Sequence, residues 1–437
     1  MINPAKAQRR KGSIFNYLFL CGFAASRANN FLFLRAVSVS VSRSLSHSFI
    51  PSFFHSFTLF VLFLTFSSSY AQNDSSKLLK KHKDIPAVDR KYNDLARFLA
   101  GMSSEKGSSY EEQSNTDIWK NYAANLDANW KITVGAKMDK MSAWSSTEFG
   151  PQKELGGKLF YPFAGPDFIH MYTFFPYAKE YVMIGLEHVG TVQDLSQTGS
   201  DSLNRYLASV GTSLYSILNY SFFQTISMSY DFKSQDLNGI IPVILLFMAR
   251  TGNKILDIKG VNVDTLGKNV SGTLTASPEN IMLNYGVKID FYNDAQDEIQ
   301  TVYYYSVDLS DAQLPSNPGY TTYLNNMGEV KTFIKSASYL MQYSVFSQIR
   351  SAILKNSSLI LQDDSGVPFQ YFDTLTWNVN LYGTYNSPIP LFVERFQQDI
   401  YDAYRDNSRT IKPLDFGIGY NYFLGTSNLL IAKKKLK

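Results

Sequence analysis

Residues 158–188 read KLFYPFAGPDFIHMYTFFPYAKEYVMIGLEH, and this stretch decides the fold class. A short apolar run, KLFYPF, leads into a turn at Gly165 and Pro166, and proline is favoured in the first turn of a helix. The next residues, DFIHMYTFF, predict a short helix that Pro176 ends. The run EYVMIGLEHVG lacks the alternation of a half-exposed strand, which is typical of a strand buried on both faces. The stretch therefore predicts a β-α-β unit over residues 158–187.

The predicted unit brings four chemically useful side chains to one edge of a sheet. Its two strands are parallel, so their carboxyl ends share the edge at which open α/β folds bind ligands. Asp167 and His170 follow the first strand on one helix face, and Glu187 and His188 end the second strand. Two carboxylates and two imidazoles suffice for a divalent metal site or for acid–base catalysis. The candidate catalytic residues are Asp167, Glu187 and His188, and the candidate metal ligands are these three with His170.

Each candidate also has a purely structural interpretation. A carboxylate such as Asp167 at the start of a helix interacts favourably with the helix dipole. His170 lies between two apolar residues, as a core histidine would, and Glu187 and His188 can simply end a strand. The six aromatic residues within 161–176 occur at mixed spacing, which favours packing in the core. A binding pocket without chemistry is the third alternative.

Patterns elsewhere predict a mixed fold, α/β or α+β, with mixed sheets. An apolar stripe over residues 330–354 predicts one long helix. The runs at 285–292 and 301–309 predict a β-hairpin, and LILQDDSGVPFQYF at 359–372 predicts another around DDSG. The predicted long helix at 330–354 and the final residue Lys437 argue against an outer-membrane β-barrel.

Composition divides the chain into three parts. Residues 1–71 form a signal-peptide region, residues 72–150 a mainly helical segment, and residues 151–437 the α/β core. Residues 263–282 are rich in Ser, Thr, Gly and Asn, so they are a loop or a boundary between two halves of the core.

The signal peptide is predicted from FTLFVLFLTFSSSYAQND. Phe57–Phe66 is a ten-residue apolar run, too short to span a bilayer, and a small-x-small site at residues 69–71 places cleavage before Gln72. The leader is longer than a signal peptide needs, so we interpret its start as over-extended, with Ile14–Leu20 as the alternative signal or anchor. Export to the periplasm, to the outer membrane or to the outside of the cell follows from this prediction.

Charge and cysteine content exclude several functions. Residues 1–71 hold seven of the 41 basic residues and no acidic residue, which leaves 34 basic against 37 acidic residues in the mature chain. Such a balance predicts no nucleic-acid partner. The single cysteine, Cys21, lies in the leader, so disulfides, thiol catalysis and zinc–thiolate sites are excluded from the mature chain. The sequence also lacks the nucleophile elbow, the Walker loop, H-E-x-x-H and G-x-G-x-x-G.

Four segments carry a resemblance to a known group of proteins. YPFAGPDFIHMYTFFP, YVMIGLEHVG, LILQDDSGVPFQYF and PLDFGIGYNYF resemble segments of an uncharacterised family of exported proteins from Bacteroidota, over most of residues 150–437. The resemblance implies export and brings no established activity.

The sequence leads to three functional hypotheses. The first is an exported, non-catalytic protein that has no cofactor and binds a glycan or a peptide. Binding of such a ligand is suggested by the aromatic residues, because the mature chain keeps 27 of the 29 tyrosines and all four tryptophans. The second is a metal-assisted hydrolase with a divalent metal at Asp167, His170, Glu187 and His188. The third is a structural subunit of an envelope assembly, associated with the cell envelope.

Overall fold

An open ten-stranded mixed sheet forms the centre of the described protein. The computed structural model describes residues 87–151, 155–220, 222, 238–274 and 285–435. The predicted signal-peptide region, residues 1–71, lies outside these residues. The described residues belong to one compact unit.

The strands are β1 (Lys158–Tyr161), β2 (Glu180–Gly185), β3 (Lys254–Val263), β4 (Asn269–Gly272), β5 (Gly286–Asn293), β6 (Glu298–Ser306), β7 (Val330–Ile334), β8 (Ser357–Gln362), β9 (Trp377–Gly383) and β10 (Asn428–Lys434). Their spatial order is β4-β3-β5-β6-β2-β1-β7-β8-β10-β9. The central strands β6, β2, β1, β7 and β8 are parallel to one another. The outer pairs are antiparallel.

The order of the parallel strands defines a topological switch point. Numbered among themselves in chain order, they are arranged 3-2-1-4-5, as in the doubly wound Rossmann sheet. From β1 the chain crosses to β2 on one side, and it later enters β7 on the other side. The carboxyl ends of β1 and β7 therefore flank the crevice at which such sheets bind ligands.

The helices are α1 (Arg90–Leu99), α2 (Glu111–Ser114), α3 (Asp117–Thr133), α4 (Asp139–Phe149), α5 (Phe168–Phe174), α6 (Ser200–Tyr220), α7 (Ile241–Arg250), α8 (Pro318–Asn325), α9 (Ser347–Asn356) and α10 (Gln398–Ala403). A π-helical segment, Val134–Met138, joins α3 to α4. Short 3-10 turns occur at Leu314–Ser316, Leu340–Gln342, Ser344–Phe346, Phe369–Tyr371 and Pro390–Arg395. Among the helices described, none has both the length and the apolar character that a membrane span requires.

The core lies on both faces of the sheet. Leu159 and Tyr161 of β1 pack in one hydrophobic cluster, and Phe160 between them packs in the other. Successive residues of a strand point to opposite faces, so a strand covered on both sides is apolar throughout. This double burial explains the unbroken apolar runs of β1 and β2.

The mixed α/β fold and the β-α-β unit are confirmed by β1, α5 and β2. The predicted hairpin is confirmed by β5 and β6, which pair in antiparallel register across a turn at residues 294–297. The predicted loop at residues 263–282 contains β4, and residues 275–284 lie outside the described part.

Two predictions of secondary structure are wrong. Residues 330–354 are not one long helix, because Val330–Ile334 is strand β7, paired in parallel with β1 and β8. Only Ser347–Asn356 is α-helical in this region. The run at 359–372 is not a hairpin, since the DDSG residues that follow β8 lead into the 3-10 turn at Phe369–Tyr371. In both places pairing with distant strands overrides the local pattern.

Candidate functional site

A buried ion pair joins the carboxyl ends of β1 and β7. Asp167 follows β1, and Lys335 comes directly after β7. Asp167 Oδ2 lies 2.9 Å from Lys335 Nζ, and neither side chain is more than 2% exposed. Removing two charges from water costs several kcal/mol per ion, so a buried charge needs a partner such as this one. The pair spans the switch point of the sheet.

Asp167 is held by three further hydrogen bonds. Tyr161 Oη donates to Asp167 Oδ2 over 2.8 Å. The backbone N–H of His170 donates to Oδ1 over 3.4 Å, so Asp167 is the N-cap of α5. The Nδ1 atom of His170 lies 2.8 Å from the same oxygen. An ionised carboxylate only accepts hydrogen bonds, so Nδ1 carries the proton and Nε2 is the acceptor of the neutral ring.

Electrostatics keep Asp167 ionised and His170 neutral. Burial opposes the ionisation of Asp167, but His170 and Lys335 outweigh it and lower its pKa to about 2. Burial lowers the pKa of His170 against the attraction of Asp167. A neutral imidazole has no net positive charge that could stabilise the carboxylate. We therefore attribute the lowered pKa of Asp167 mainly to Lys335.

A second acidic pair follows β8. Asp363 Oδ2 accepts a hydrogen bond of 2.9 Å from the backbone N–H of Ser336, the residue after Lys335. Asp364 accepts hydrogen bonds from Tyr339 Oη and, at 2.9 Å, from Asn428 Nδ2. Burial raises the pKa of Asp363, and hydrogen bonds from Ser365 and Ser336, followed by the charge of Lys335, oppose the rise. Burial and the neighbouring Asp363 raise the pKa of Asp364 to about 7.

These five side chains form what we call the edge cluster, namely Asp167, His170, Lys335, Asp363 and Asp364. The sequence predicted two of its members, Asp167 and His170, and missed the other three. Lys335 lies within the residues predicted to form one long helix, and the two aspartates lie within the predicted hairpin turn, so neither prediction indicated a site residue. Adjacent carboxylates directly after an apolar run would have been the available signal for Asp363 and Asp364.

The π-helical segment carries a further basic residue, Lys137. Burial, followed by the charge of Lys335, lowers the pKa of Lys137 to about 8. Its Nζ lies 6.0 Å from the ring centroid of Tyr422. Single π turns within helices occur frequently at functional sites. No sequence pattern distinguishes Lys137 as a site residue, because it lies within one continuous helical stretch formed by α3, the π segment and α4.

Unusual backbone conformations surround the edge cluster. Of the five described non-glycine residues with positive φ, four follow β1 or β7, at Phe163, Ser336, Ser338 and Tyr339. Each such residue costs about 1–3 kcal/mol, and such strain concentrates at functional sites. The segment after β7 is held by Tyr420, whose Oη donates to the Ser336 carbonyl over 2.9 Å.

Glu187 and His188, the other two predicted site residues, are buried at the end of β2. Tyr304 Oη lies 2.9 Å from the backbone oxygen of Glu187 and 3.3 Å from its Oε2. The backbone oxygen of His188 accepts a hydrogen bond of 3.0 Å from Ile240 N. The described residues contain no group of three or more His, Cys, Asp or Glu that could hold a metal ion. The predicted metal site with all four ligands is therefore not formed there, and Lys335 supplies the cation beside Asp167.

Comparisons of the chain with protein-family models, with curated proteins and with solved structures gave no match. The resemblance to exported proteins of Bacteroidota therefore stays a prediction.

A cavity of about 420 Å³ lies at the end of β9, lined by residues that include Tyr385, Tyr404 and Arg405. None of its lining residues belongs to the edge cluster. Its charged group is already engaged, because Arg405 Nη2 donates to Asn386 Oδ1 over 2.9 Å and the guanidinium lies over the ring of Tyr401. The edge cluster is the stronger candidate, because perturbed pKa values and strained backbone coincide there.

Proposed function

We propose that the protein is exported and binds a small polar ligand at the carboxyl edge of β1 and β7. The observation that carries the proposal is the Asp167–Lys335 ion pair, buried at the switch point of the parallel strands. Ligands of open α/β sheets bind in the crevice outside this edge. In this proposal the protein acts in the periplasm or on the cell surface.

The energetic cost of this region supports a functional interpretation over simple packing. A buried ion pair is often no more stabilising than apolar residues of the same volume. Positive φ values at Ser336, Ser338 and Tyr339 add further cost. Costs that accumulate at one place, next to a switch point, are typical of sites kept for binding or catalysis.

Aromatic rings beside the edge cluster indicate the character of the ligand. The ring centroid of Tyr420 lies 5.2 Å from that of Phe392, 5.0 Å from that of Phe222 and 6.2 Å from that of Tyr339. Aromatic faces next to hydrogen-bonding groups favour ligands with an apolar face and several hydroxyl groups. Glycans have this character, as do nucleosides, and peptides with aromatic side chains share part of it.

A ligand screen with paired charge variants tests the proposal. Sugars, nucleosides and peptides are screened by thermal shift, and the dissociation constant of each hit is measured by calorimetry. Asp167→Asn/Lys335→Met, which removes both charges together, should weaken binding at least about tenfold. The control is Lys179→Met/Glu298→Gln, which removes an exposed pair 3.4 Å apart and should leave binding unchanged. A screen without hits, or equal affinities in both double variants, would contradict the proposal.

Acid–base catalysis is a second candidate, and the Asp167–His170 pair favours it. A carboxylate that accepts from Nδ1 fixes the imidazole with Nε2 as the base, and the lowered pKa of His170 keeps that ring neutral at pH 7. Activity against ester, amide and glycoside substrates, lost in His170→Gln without loss of folding, would support this function. Undiminished activity in His170→Gln would contradict it.

A further inference from the structure

The cavity at the end of β9 is large enough to hold a small molecule. Its volume of about 420 Å³ lies within the range of about 300–1,000 Å³ that is typical of ligand sites. Residues that follow β9 and α10 line it, together with Ile411, Pro413, Leu414 and Gly425. None of the lining residues belongs to the edge cluster, so a ligand bound here would occupy a second site.

Backbone hydrogen bonds fix the walls of this cavity. The N–H of Gly383 donates to the Lys412 carbonyl over 2.8 Å, and the N–H of Thr384 donates to the Ser427 carbonyl over 2.9 Å. Gly383 has a φ of 79°, and a Cβ atom there would clash with the Ser427 carbonyl oxygen, so this close approach requires glycine. The cavity is therefore formed without a ligand, which lowers the entropic cost of binding one.

A guanidinium group whose partners are all neutral lies at the cavity. Arg405 Nη1 donates to the carbonyls of Tyr385 and Tyr401 over 3.3 and 3.1 Å, and Nη2 donates to Asn386 Oδ1 over 2.9 Å. The Cζ atom of Arg405 lies 3.3 Å from the ring centroid of Tyr401. These contacts hold the guanidinium in place and leave its positive charge uncompensated.

The acidic residues nearest to Arg405 in the sequence interact elsewhere. Asp402 accepts a hydrogen bond of 2.8 Å from Gln398, and Asp406 lies 3.5 Å from the guanidinium of Arg409. Within the described part of the chain, Arg405 forms no ion pair with a carboxylate. A guanidinium has five N–H donors, and its three hydrogen bonds leave donors for an anion.

Much of the remaining lining is aliphatic or aromatic, namely Tyr385, Tyr404, Ile411, Pro413 and Leu414. The Tyr404 hydroxyl already donates to the Tyr382 carbonyl over 2.9 Å, so it needs no acceptor from a ligand. Apolar surface beside a single polar anchor is the usual arrangement of a small-molecule site, in which the anchor fixes the orientation of the ligand. A guanidinium matches a carboxylate in both charge and geometry.

We propose that this cavity binds a small carboxylic acid, with the carboxylate on Arg405 and an aliphatic or aromatic body against Ile411, Pro413 and Leu414. Among the described residues that line the cavity, Arg405 is the one with a charge, which suits a carboxylate better than the double charge of a phosphate. Small acids differ from the sugars, nucleosides and peptides screened for the edge cluster. This inference is therefore independent of the proposed function, and either can fail alone.

Calorimetry on the purified protein with matched probes tests the inference. Phenylacetate and hexanoate should bind, whereas phenylacetamide, the neutral counterpart of phenylacetate, should bind about fivefold to tenfold more weakly, because it lacks the charge that pairs with Arg405. Acetate keeps the charge but has almost no apolar body, so it should bind more weakly than phenylacetate. Phenyl phosphate should bind no more tightly than phenylacetate.

Two arginine variants locate the site. Arg405→Met should weaken phenylacetate binding by about fivefold to tenfold and leave the affinity for phenylacetamide unchanged, which a misfolded variant would not do. The control is Arg395→Met, because the guanidinium of Arg395 also lies over a tyrosine ring, 3.9 Å from the centroid of Tyr343, but does not line the cavity. This control should bind phenylacetate as the unmodified protein does.

Several outcomes would overturn the inference. Absence of binding by both acids, or equal affinities for phenylacetate and phenylacetamide, would do so in the unmodified protein, without dependence on a variant. Equal binding of acetate would remove the apolar contact, and tighter binding of phenyl phosphate would remove the carboxylate. Phenylacetate binding that is lost in Asp167→Asn/Lys335→Met and kept in Arg405→Met would place the acid at the edge cluster and contradict the second site.

Discussion

Lys335→Met should lower the free energy of unfolding by about 3–5 kcal/mol, because it leaves a buried carboxylate without its cation. Lys335 Nζ is 2.9 Å from Asp167 Oδ2, and both side chains are at most 2% exposed, so water cannot replace the lysine. The remaining partners of the carboxylate, Tyr161 and His170, donate hydrogen bonds but bring no compensating charge near neutral pH.

A double-mutant cycle isolates the interaction of this pair. Asp167→Asn/Lys335→Met removes both charges, so its loss of unfolding free energy should be smaller than that of Lys335→Met alone. Comparison of the double variant with the two single variants should give a coupling energy of about 1–3 kcal/mol. The exposed pair of Lys179 and Glu298 should couple by no more than about 1 kcal/mol. Urea denaturation at neutral pH, followed by tryptophan fluorescence, measures all the variants. A loss below about 1 kcal/mol in Lys335→Met, or equal coupling in the two pairs, would refute the reasoning.

The same pair predicts the acid side of the stability profile. Lys335 and His170 lower the pKa of Asp167 from 3.8 to about 2 in the folded protein, against the effect of burial. A carboxyl group with a lowered folded pKa contributes stability above its unfolded pKa and loses it as the pH falls. The contribution of Asp167 should therefore be complete above about pH 4 and disappear towards pH 2, a loss that Asp167→Asn should not show.

Three further predictions concern other parts of the chain. Asp364→Asn should reduce the fall in stability between about pH 4 and pH 7. Burial and Asp363 raise the pKa of Asp364 to about 7, so in this interval the folded state keeps a proton that the unfolded chain releases. Thermal unfolding of both proteins across the interval measures the difference. Gly419→Ala should lower the free energy of unfolding by about 2–3 kcal/mol, because its Cβ would lie 2.4 Å from Asp363 Oδ2 at a φ of 73°. The control Gly425→Ala, at a φ of 81° in open space, should lower it by about 1 kcal/mol. Equal losses in chemical denaturation would contradict the contact at Gly419. Cleavage of the predicted signal peptide should leave a protein that begins at Gln72, which intact mass measures, and a mass that includes the leader would contradict the predicted signal peptide.

The part of the fold that the sequence predicts is the part with local signals. The β-α-β unit follows from two apolar runs of strand length, a Gly-Pro turn and a closing proline within 30 residues. Because that unit places Asp167 at the start of its helix, the contact of Asp167 with His170 follows from the sequence as well. Hairpin β5–β6 has equally local signals in its two strands and acidic turn.

The rest of the edge cluster depends on pairings that no local pattern contains. Residues 330–334, VKTFI, fit a helical stripe as well as a strand, and the structure decides between them by pairing Lys331 with Leu159 of β1. The prediction of a helix there concealed Lys335, the cation that Asp167 needs. In the same way, the carboxylates after β8 become part of the site only because β8 lies beside β7.

Hydrogen–deuterium exchange with and without bound ligand tests most directly whether the carboxyl edge of β1 and β7 is the binding site. Each ligand that raises the melting temperature is added to the purified protein, and exchange is followed by mass spectrometry. The account predicts slower exchange in residues 162–170 and 335–340, which follow β1 and β7. Slower exchange confined to residues 383–386 and 404–405, which line the cavity at the end of β9, would contradict it.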